Sequence, residues 1–370
     1  MKKICFFLAL CFSLQAGAQV LLEDSIATST GYRHFLFYVP ASYTPGTAAP
    51  LVINMHGLGS NDTEQLYYSN FMPIADTAGF LMVLPQGNQV MGTTYWNAGF
   101  GGPDDDVSFI SNLIDTLRLG YNIDSNRIYA TGMSNGGYMS YYLACHLPAR
   151  IAAIASVTGS IVPGGTALCT PGRAVPVMQF HGTADATVPY LGGSLNIPVD
   201  SLIRFWVGNN HCDTTPVVTE VPDVVTSDGS TATHYVYSGG DNGSTVEFYK
   251  INGGEHTWPG SPFTIGVTNQ DVAASAEIWR FFSQYSLTEF LGVPQTVKGQ
   301  RHQPAYPNPA ISSIQIAAPL QGNATLSDMA GRVLLQSASQ QLDVSRLPKG
   351  IYLLQYQSGG TRIAEKIVKE

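Results

Sequence analysis

The sequence predicts an α/β protein, a mostly parallel sheet with helices on both faces, followed by a small all-β unit. Three observations carry this. From about residue 35 to residue 286, short apolar runs alternate with helix-like segments. Strands joined through helices form parallel sheets whose two faces are both covered. From residue 304 onward the helical period is gone and short runs are separated by turn residues. The apolar share of 44 % across 370 residues excludes a disordered chain.

The elements follow in order. Lys2 and Lys3, the apolar run from Ile4 to Leu14 and Ala16-Gly17-Ala18 read as a signal peptide over residues 1–18. That run is too short to span a bilayer. No later run reaches 18 apolar residues, so no transmembrane segment is expected. Apolar runs predict strands at 51–55, 80–84, 127–131, 151–157, 175–180 and 246–251. Helices are expected at 62–78, 105–119, 136–147, 199–207 and 271–285. In the second of these, Val107, Ile110, Leu113, Ile114 and Leu117 fall at 3/4 spacing. Asp104, Asp105 and Asp106 stand at its start, where capping and the helix dipole favour acid. These elements fill a first domain at 19–290, and residues 291–303 read as a linker. In 304–370, short strands are expected at 313–317, 324–326, 332–336, 351–357 and 362–368, with Ser358-Gly359-Gly360 as a hairpin turn. That pattern suits a small β-sandwich.

Charge and cysteines narrow the function. Eighteen basic against 26 acidic residues give a net charge of −8 with no basic cluster, so no nucleic-acid partner is expected. Of five cysteines, Cys5 and Cys11 leave with the signal peptide. Cys145, Cys169 and Cys212 then allow one bridge in an oxidising compartment, and all three pairings stay open. None of them has zinc-ligand spacing, so no metal and no cofactor is assigned.

In a parallel sheet the ligand site lies beyond the carboxyl ends of the strands. Gly132-Met133-Ser134-Asn135-Gly136 lies there, directly after an apolar strand and directly before a helix. This is the setting in which G-x-S-x-G holds a serine hydroxyl on a sharp turn. Such a serine needs a base and the base an orienting acid, in the chain order Ser, Asp or Glu, His. His34 and His56 precede Ser134 and drop out. His146, His181, His211, His234 and His302 do not follow a buried strand through a loop after the acid. His256 does, after 246–251 and Asn252-Gly253-Gly254-Glu255. Asp185, just after 175–180, is the acid, with Asp213 as second choice. The oxyanion donors expected are the N–H of Asn135 and of Leu58 in His56-Gly57-Leu58-Gly59. Trp96, Phe100, Tyr190 and Trp258 lie in strand-end loops, where either they line an apolar substrate cleft or two or more of them pack under the loops.

"HGLGSN" (56–61), "WNAG" (96–99), "DDVSFI" (105–110), "RIYATGMSNGGYMS" (127–140), "VPVMQFHGTADATVPYLGG" (175–193) and "GGEHTWPG" (253–260) resemble one group. It is the poly(3-hydroxybutyrate) depolymerase-like esterases of carbohydrate esterase family one, which include feruloyl and acetylxylan esterases. The resemblance implies an α/β-hydrolase fold and a triad on Ser134, Asp185 and His256. Many relatives carry cysteines just after "WNAG"; here Phe100-Gly101-Gly102 stands instead. "YPNPA" (306–310), "DMAGRVL" (328–334) and "LPKGIYLLQ" (347–355) resemble the C-terminal sorting domain of type IX secretion. This implies export and a partner in that secretion machinery. The expected activity is hydrolysis of feruloyl or acetyl esters on cell-wall polysaccharide. A polyester depolymerase is the alternative, and a non-catalytic surface-binding protein the rival from another class.

Overall fold

A computed structural model of the chain describes residues 19–28, 31–102, 104–287, 305–317, 319–328, 332–358 and 361–370. Two compact units divide the chain between residues 291 and 292. The signal peptide expected at 1–18 and the linker expected at 291–303 lie outside the described residues.

The first unit is built on ten strands. These are β1 (Val20–Thr28), β2 (Gly31–Val39), β3 (Ala49–Met55) and β4 (Leu81–Pro85), then β7 (Ile123–Met133), β8 (Ala153–Val157), β9 (Val177–Gly182), β10 (Val217–Glu220), β11 (Thr231–Tyr237) and β12 (Val246–Asn252). A separate hairpin, β5 (Asn88–Val90) with β6 (Thr93–Tyr95), stands between β4 and the next helix. The sheet order is β1-β2-β4-β3-β7-β8-β9-β12-β11-β10. The six strands from β4 to β12 in that order are parallel. The two at each margin are antiparallel.

Among the described residues six helices cover the sheet: α1 (Asp62–Ser69), α2 (Met72–Ala78), α3 (Asp106–Gly120), α4 (Asn135–His146), α5 (Val199–Asn209) and α6 (Ala274–Phe282). The strand period of two sends Leu51, Ile53 and Met55 into one core and Val52 into the other. The first core takes the apolar stripes of α3 and α5, including Ile110, Ile114 and Trp206. The second takes Phe71, Ile278, Phe281 and Phe282 from around α2 and α6. Both faces are therefore buried, as a parallel sheet requires. Among the described residues no helix is long and apolar enough to cross a membrane.

Several expectations are corrected. The single helix expected at 62–78 is two, because Asn70 takes a left-handed φ of 52° and Pro73 opens α2. The helix expected at 271–285 is shorter, since Asp271 is used to accept the N–H groups of Val224 and Val225, each at 2.8 Å. The acidic start of α3 does more than cap. Asp105 accepts from Ser108 N at 2.9 Å and its Oγ at 2.6 Å, and these bonds hold its carboxyl below its usual range. Asp106 is buried and paired with Arg33 at 2.6 Å, which offsets the cost of burying its charge. Of the three cysteine pairings, Cys145 at the end of α4 bridges Cys169, and Cys212 is free and buried.

The second unit holds β13 (Ser313–Gln315), β14 (Ala324–Asp328), β15 (Val333–Ser337), β16 (Gln341–Asp343), β17 (Gly350–Ser358) and β18 (Thr361–Lys369). They form an antiparallel sheet in the order β15-β14-β17-β18 and a two-stranded sheet β13-β16. One apolar core holds Ile314, Leu326, Leu342, Leu354 and Ile367. Ser358 pairs with Thr361, so the expected hairpin turn falls on residues 359 and 360, outside the described residues.

Candidate active site

The site is assembled at the carboxyl ends of the parallel strands. β7 ends at Met133 and α4 starts at Asn135, so Ser134 alone makes the turn. Its backbone sits at φ 54°, ψ −119°, a conformation costly for a residue with a side chain. The two flanking glycines make the turn possible. A Cβ on Gly132 would come within 2.5 Å of the Met55 carbonyl oxygen, and one on Gly136 would overlap the same oxygen. The end of β3 thus lies directly against the elbow, bringing its loop beside Ser134.

His256 follows β12 and Asp185 follows β9, neighbouring strands in the sheet. His256 Nδ1 lies 2.7 Å from Asp185 Oδ2. A carboxylate only accepts, so Nδ1 carries the proton and Nε2 is left with its lone pair. His256 and Ser134 line one cavity. Asp185 Oδ1 accepts the N–H groups of Thr187 and Val188, at 2.9 and 2.8 Å. The second choice, Asp213, is elsewhere, its N–H donating to Ser238 O at 2.7 Å.

A buried histidine missed as a site residue braces this acid. The Gln179 amide donates to His181 Nδ1 at 2.9 Å, so the proton is on Nε2, which donates to Val188 O at 2.8 Å. Val188 in turn donates to Asp185. Burial pushes the His181 pKa below its ordinary value, and this outweighs the Val188 bond and the nearby Asp185 charge. The neutral ring therefore holds the loop that carries Asp185. The signal available in sequence was its place at the end of an apolar strand, four residues before that acid.

Leu58 and Asn135, the expected oxyanion donors, line one cavity with Ser134. Gly59 N donates to Thr94 O at 2.8 Å and Ser60 N to Gly57 O at 3.2 Å, leaving the Leu58 N–H outside that turn's bonding. His56 Nε2 accepts the Gly87 N–H at 2.8 Å, so its Nδ1–H donates to Gly57 O at 2.7 Å. Gly57 C=O and Leu58 N–H belong to one planar trans peptide and point oppositely, so this bond aims the Leu58 N–H. Asn135 is held by its side chain, whose Oδ1 accepts Trp96 N at 2.6 Å while Nδ2 donates to Trp96 O at 3.0 Å.

The reading that four aromatic residues line the cleft is corrected for three. Trp96 is fully buried and its indole donates to His56 O at 3.0 Å, tying the two donor loops together. Trp258 packs edge-on to Phe71 and donates to Ser275 Oγ at 3.1 Å. Tyr190 is buried, donates to Asp200 Oδ1 at 2.6 Å and stands edge-on to His181. Burying these large rings under their loops removes more apolar surface from water than lining a cleft would. Phe100 does line a cavity, 39 % exposed and with its ring 5.2 Å from that of Tyr138. Tyr67, Phe263 and Ile265, which the sequence did not mark, line the cavity that holds His256.

Residues 43–206 match the phospholipase/carboxylesterase family, and residues 304–370 match the secretion system C-terminal sorting domain. The chain is 28 % identical over 256 residues to a bifunctional acetylxylan esterase/xylanase of Neocallimastix patriciarum, covering 69 % of this chain and 34 % of that protein. It is 34 % identical over 184 residues to feruloyl esterase B of Piromyces equi, covering 48 % and 34 %. It is 29 % identical over 269 residues to feruloyl esterase D of Neurospora crassa, covering 69 % and 82 %. The chain spans about a third of the length of the first two. The structure of an acetyl xylan esterase from Aspergillus awamori superposes with a TM-score of 0.50 at 15 % identity, over 64 % of this chain and 94 % of that one, a likeness of fold. The first unit has the α/β-hydrolase fold, residues 43–206 of the chain match the phospholipase/carboxylesterase family, and residues 304–370 are a secretion system C-terminal sorting domain by their match.

Proposed function

We propose that the chain is a secreted serine carboxylic-ester hydrolase that cleaves feruloyl or acetyl esters on plant cell-wall polysaccharide. The observation that carries this reading is the 2.7 Å bond from His256 to Asp185, with Ser134 on a strained turn in the same cavity as His256. The relatives' names, feruloyl esterase and acetylxylan esterase, support the choice of ester.

In this reading Ser134 Oγ attacks the ester carbonyl and its proton passes to His256 Nε2. Asp185 keeps the imidazole in the required tautomer and stabilises the imidazolium. The N–H groups of Leu58 and Asn135 receive the oxyanion; losing one such donor costs about 3 kcal/mol of transition-state stabilisation. The proton on His256 goes to the departing alcohol, leaving Ser134 acylated. Water, deprotonated by the same nitrogen, then releases the acid. A signal peptide over residues 1–18 and the sorting domain would carry the enzyme out through the type IX machinery.

The full chain beside Ser134→Ala tests this with methyl ferulate, acetylated xylan and a fluorophosphonate label. Turnover and labelling confined to the wild type support the reading. Release of hydroxybutyrate from polyester, with no ferulate or acetate released, would move the substrate to a polyester. Neither turnover nor labelling in the wild type would leave a non-catalytic binding protein.

A further inference from the structure

The acid of the proposed triad is faced by two imidazoles. Asp185 Oδ2 lies 2.7 Å from His256 Nδ1 and 3.6 Å from His181 Nε2. If both rings became imidazolium, they would divide the charge of one carboxylate. At the other ring nitrogen of His181 stands Gln179, and both residues are fully buried. Gln179 Nε2 lies 2.9 Å from His181 Nδ1, 3.0 Å from Gly159 O and 3.2 Å from Phe180 O. The two carbonyls only accept, so this end of the amide is the NH2. The other end, Oε1, accepts the hydroxyl of Tyr141 at 2.7 Å. Turning the amide would set Oε1 against two carbonyl oxygens.

We propose that Gln179, oriented by Tyr141, is a positioning residue that denies His181 a second proton, so that the Asp185 charge serves His256 alone. The inference rests on the esterase reading above and deepens it, since it names what selects the base of that site. To become an imidazolium, His181 must take a proton on Nδ1, and that proton would meet the amide N–H head-on. An acceptor in the same place would invite it.

The surroundings agree. Burial pushes the His181 pKa below its ordinary value, against the pull of Val188 O and the Asp185 charge. Tyr190 stands edge-on to the ring at 6.1 Å, and burial and its bond to Asp200 push its hydroxyl up, so it stays neutral. Lys250, the register partner of His181 on β12, places its ammonium 5.3 Å from the Tyr190 ring. Its positive charge also opposes a second proton. Burial pushes the Tyr141 hydroxyl well above its ordinary pKa, so it remains a donor to Gln179. Tyr141 belongs to α4, which begins directly after Ser134. The helix of the nucleophile thus holds the amide that selects the base.

Nitrogen NMR of the full chain with labelled histidines tests this, beside Gln179→Glu and Gln179→Met. At about pH 6 an ordinary imidazole is mostly protonated. Wild-type His181 should there keep one proton, on Nε2. Two protons on it would overturn the proposal, and this reading needs no variant to fold. Gln179→Glu puts an acceptor of the same shape at Nδ1, so His181 should carry both protons. With it, kcat/KM for methyl ferulate should fall by about tenfold or more, part of what general-base catalysis supplies. The acidic limb of its pH profile should move to lower pH, because a cation beside Asp185 opposes the imidazolium at His256. Gln179→Met removes the amide and offers no acceptor. It should cost less than the glutamate, keep His181 neutral and leave the limb in place. A neutral His181 in the glutamate variant, or equal losses in both variants with no movement of the limb, would overturn the proposal and leave a packing role. Neither turnover nor fluorophosphonate labelling in the wild type would overturn the esterase reading itself, whatever the spectra show.

Discussion

The six central strands of the sheet and the four at its margins follow different rules. β3, β4, β7, β8, β9 and β12 are parallel and buried on both faces, and the residues around Ser134 hang from their carboxyl ends. β1, β2, β10 and β11 are antiparallel, and β1 and β10 are exposed along nearly their whole length. The difference teaches where this molecule has no freedom. In the centre a side chain is answerable to two packed helix layers and to the close approach of β3 and the elbow. Along the outermost strands β1 and β10 the side chains meet water, and an exposed position tolerates change.

The largest effect that would sharpen this contrast comes from the bond between the ends of β9 and β12. Asp185→Asn keeps the shape but offers His256 Nδ1 a donor or a neutral oxygen, so kcat/KM for methyl ferulate should fall about 10⁴-fold with little change in unfolding midpoint. A loss below tenfold would remove Asp185 from the proposed triad. Next is Gly136→Ala, whose methyl would overlap Met55 O and lie 2.7 Å from His56 O, both backbone. It should cost several kcal/mol in urea unfolding, or prevent folding, despite being one methyl group. Wild-type stability there would mean that β3 and the elbow are not pressed together.

The centre and margin can then be compared directly. Ile53→Ala in β3, a fully buried site, should cost about 2–5 kcal/mol. Val218→Ala in β10, 50 % exposed, should stay within about 0.5 kcal/mol. Equal costs would break the distinction drawn between the two regions.

The last contrast is a pH dependence. His56 and His181 are buried among the loops at the central strand ends, and burial lowers both from an ordinary value of 6.5. Below that value the unfolded chain binds protons that the folded chain refuses. Their contribution to stability is therefore present above pH 6.5 and declines as pH falls, by up to about 1.4 kcal/mol per pH unit for each ring. Urea unfolding at pH 7.5 and 5.5 measures it, and His181→Gln should flatten the slope. A slope unchanged by that substitution would mean that His181 takes up its proton in the folded state.

In the ten-stranded sheet the six strands read from the sequence are the parallel ones, and the four antiparallel ones were missed, β2 among them despite its buried apolar run at 35–39. A strand buried on both faces is a run of apolar residues and can be seen without its partners. A margin strand such as β11, with Thr231, Thr233 and His234 among its residues, is made by pairing to β12 and carries no such run. The same rule separates the candidate site residues. Ser134, Asp185 and His256, the proposed triad, were picked out because each follows the end of a visible strand within a few residues. Trp96, Tyr190 and Trp258 could not be placed because a loop's place in the chain does not say which way its rings turn.

The sequence by itself determined the order of the central elements, the tight glycine turn around Ser134 and the strand-end places of Asp185 and His256, since these depend on short-range pattern and backbone sterics. The tertiary structure alone decided which cysteines meet, which aromatic rings go under the loops and that two imidazoles face Asp185. Those outcomes depend on distances between residues far apart in the chain, and only the packed sheet sets them.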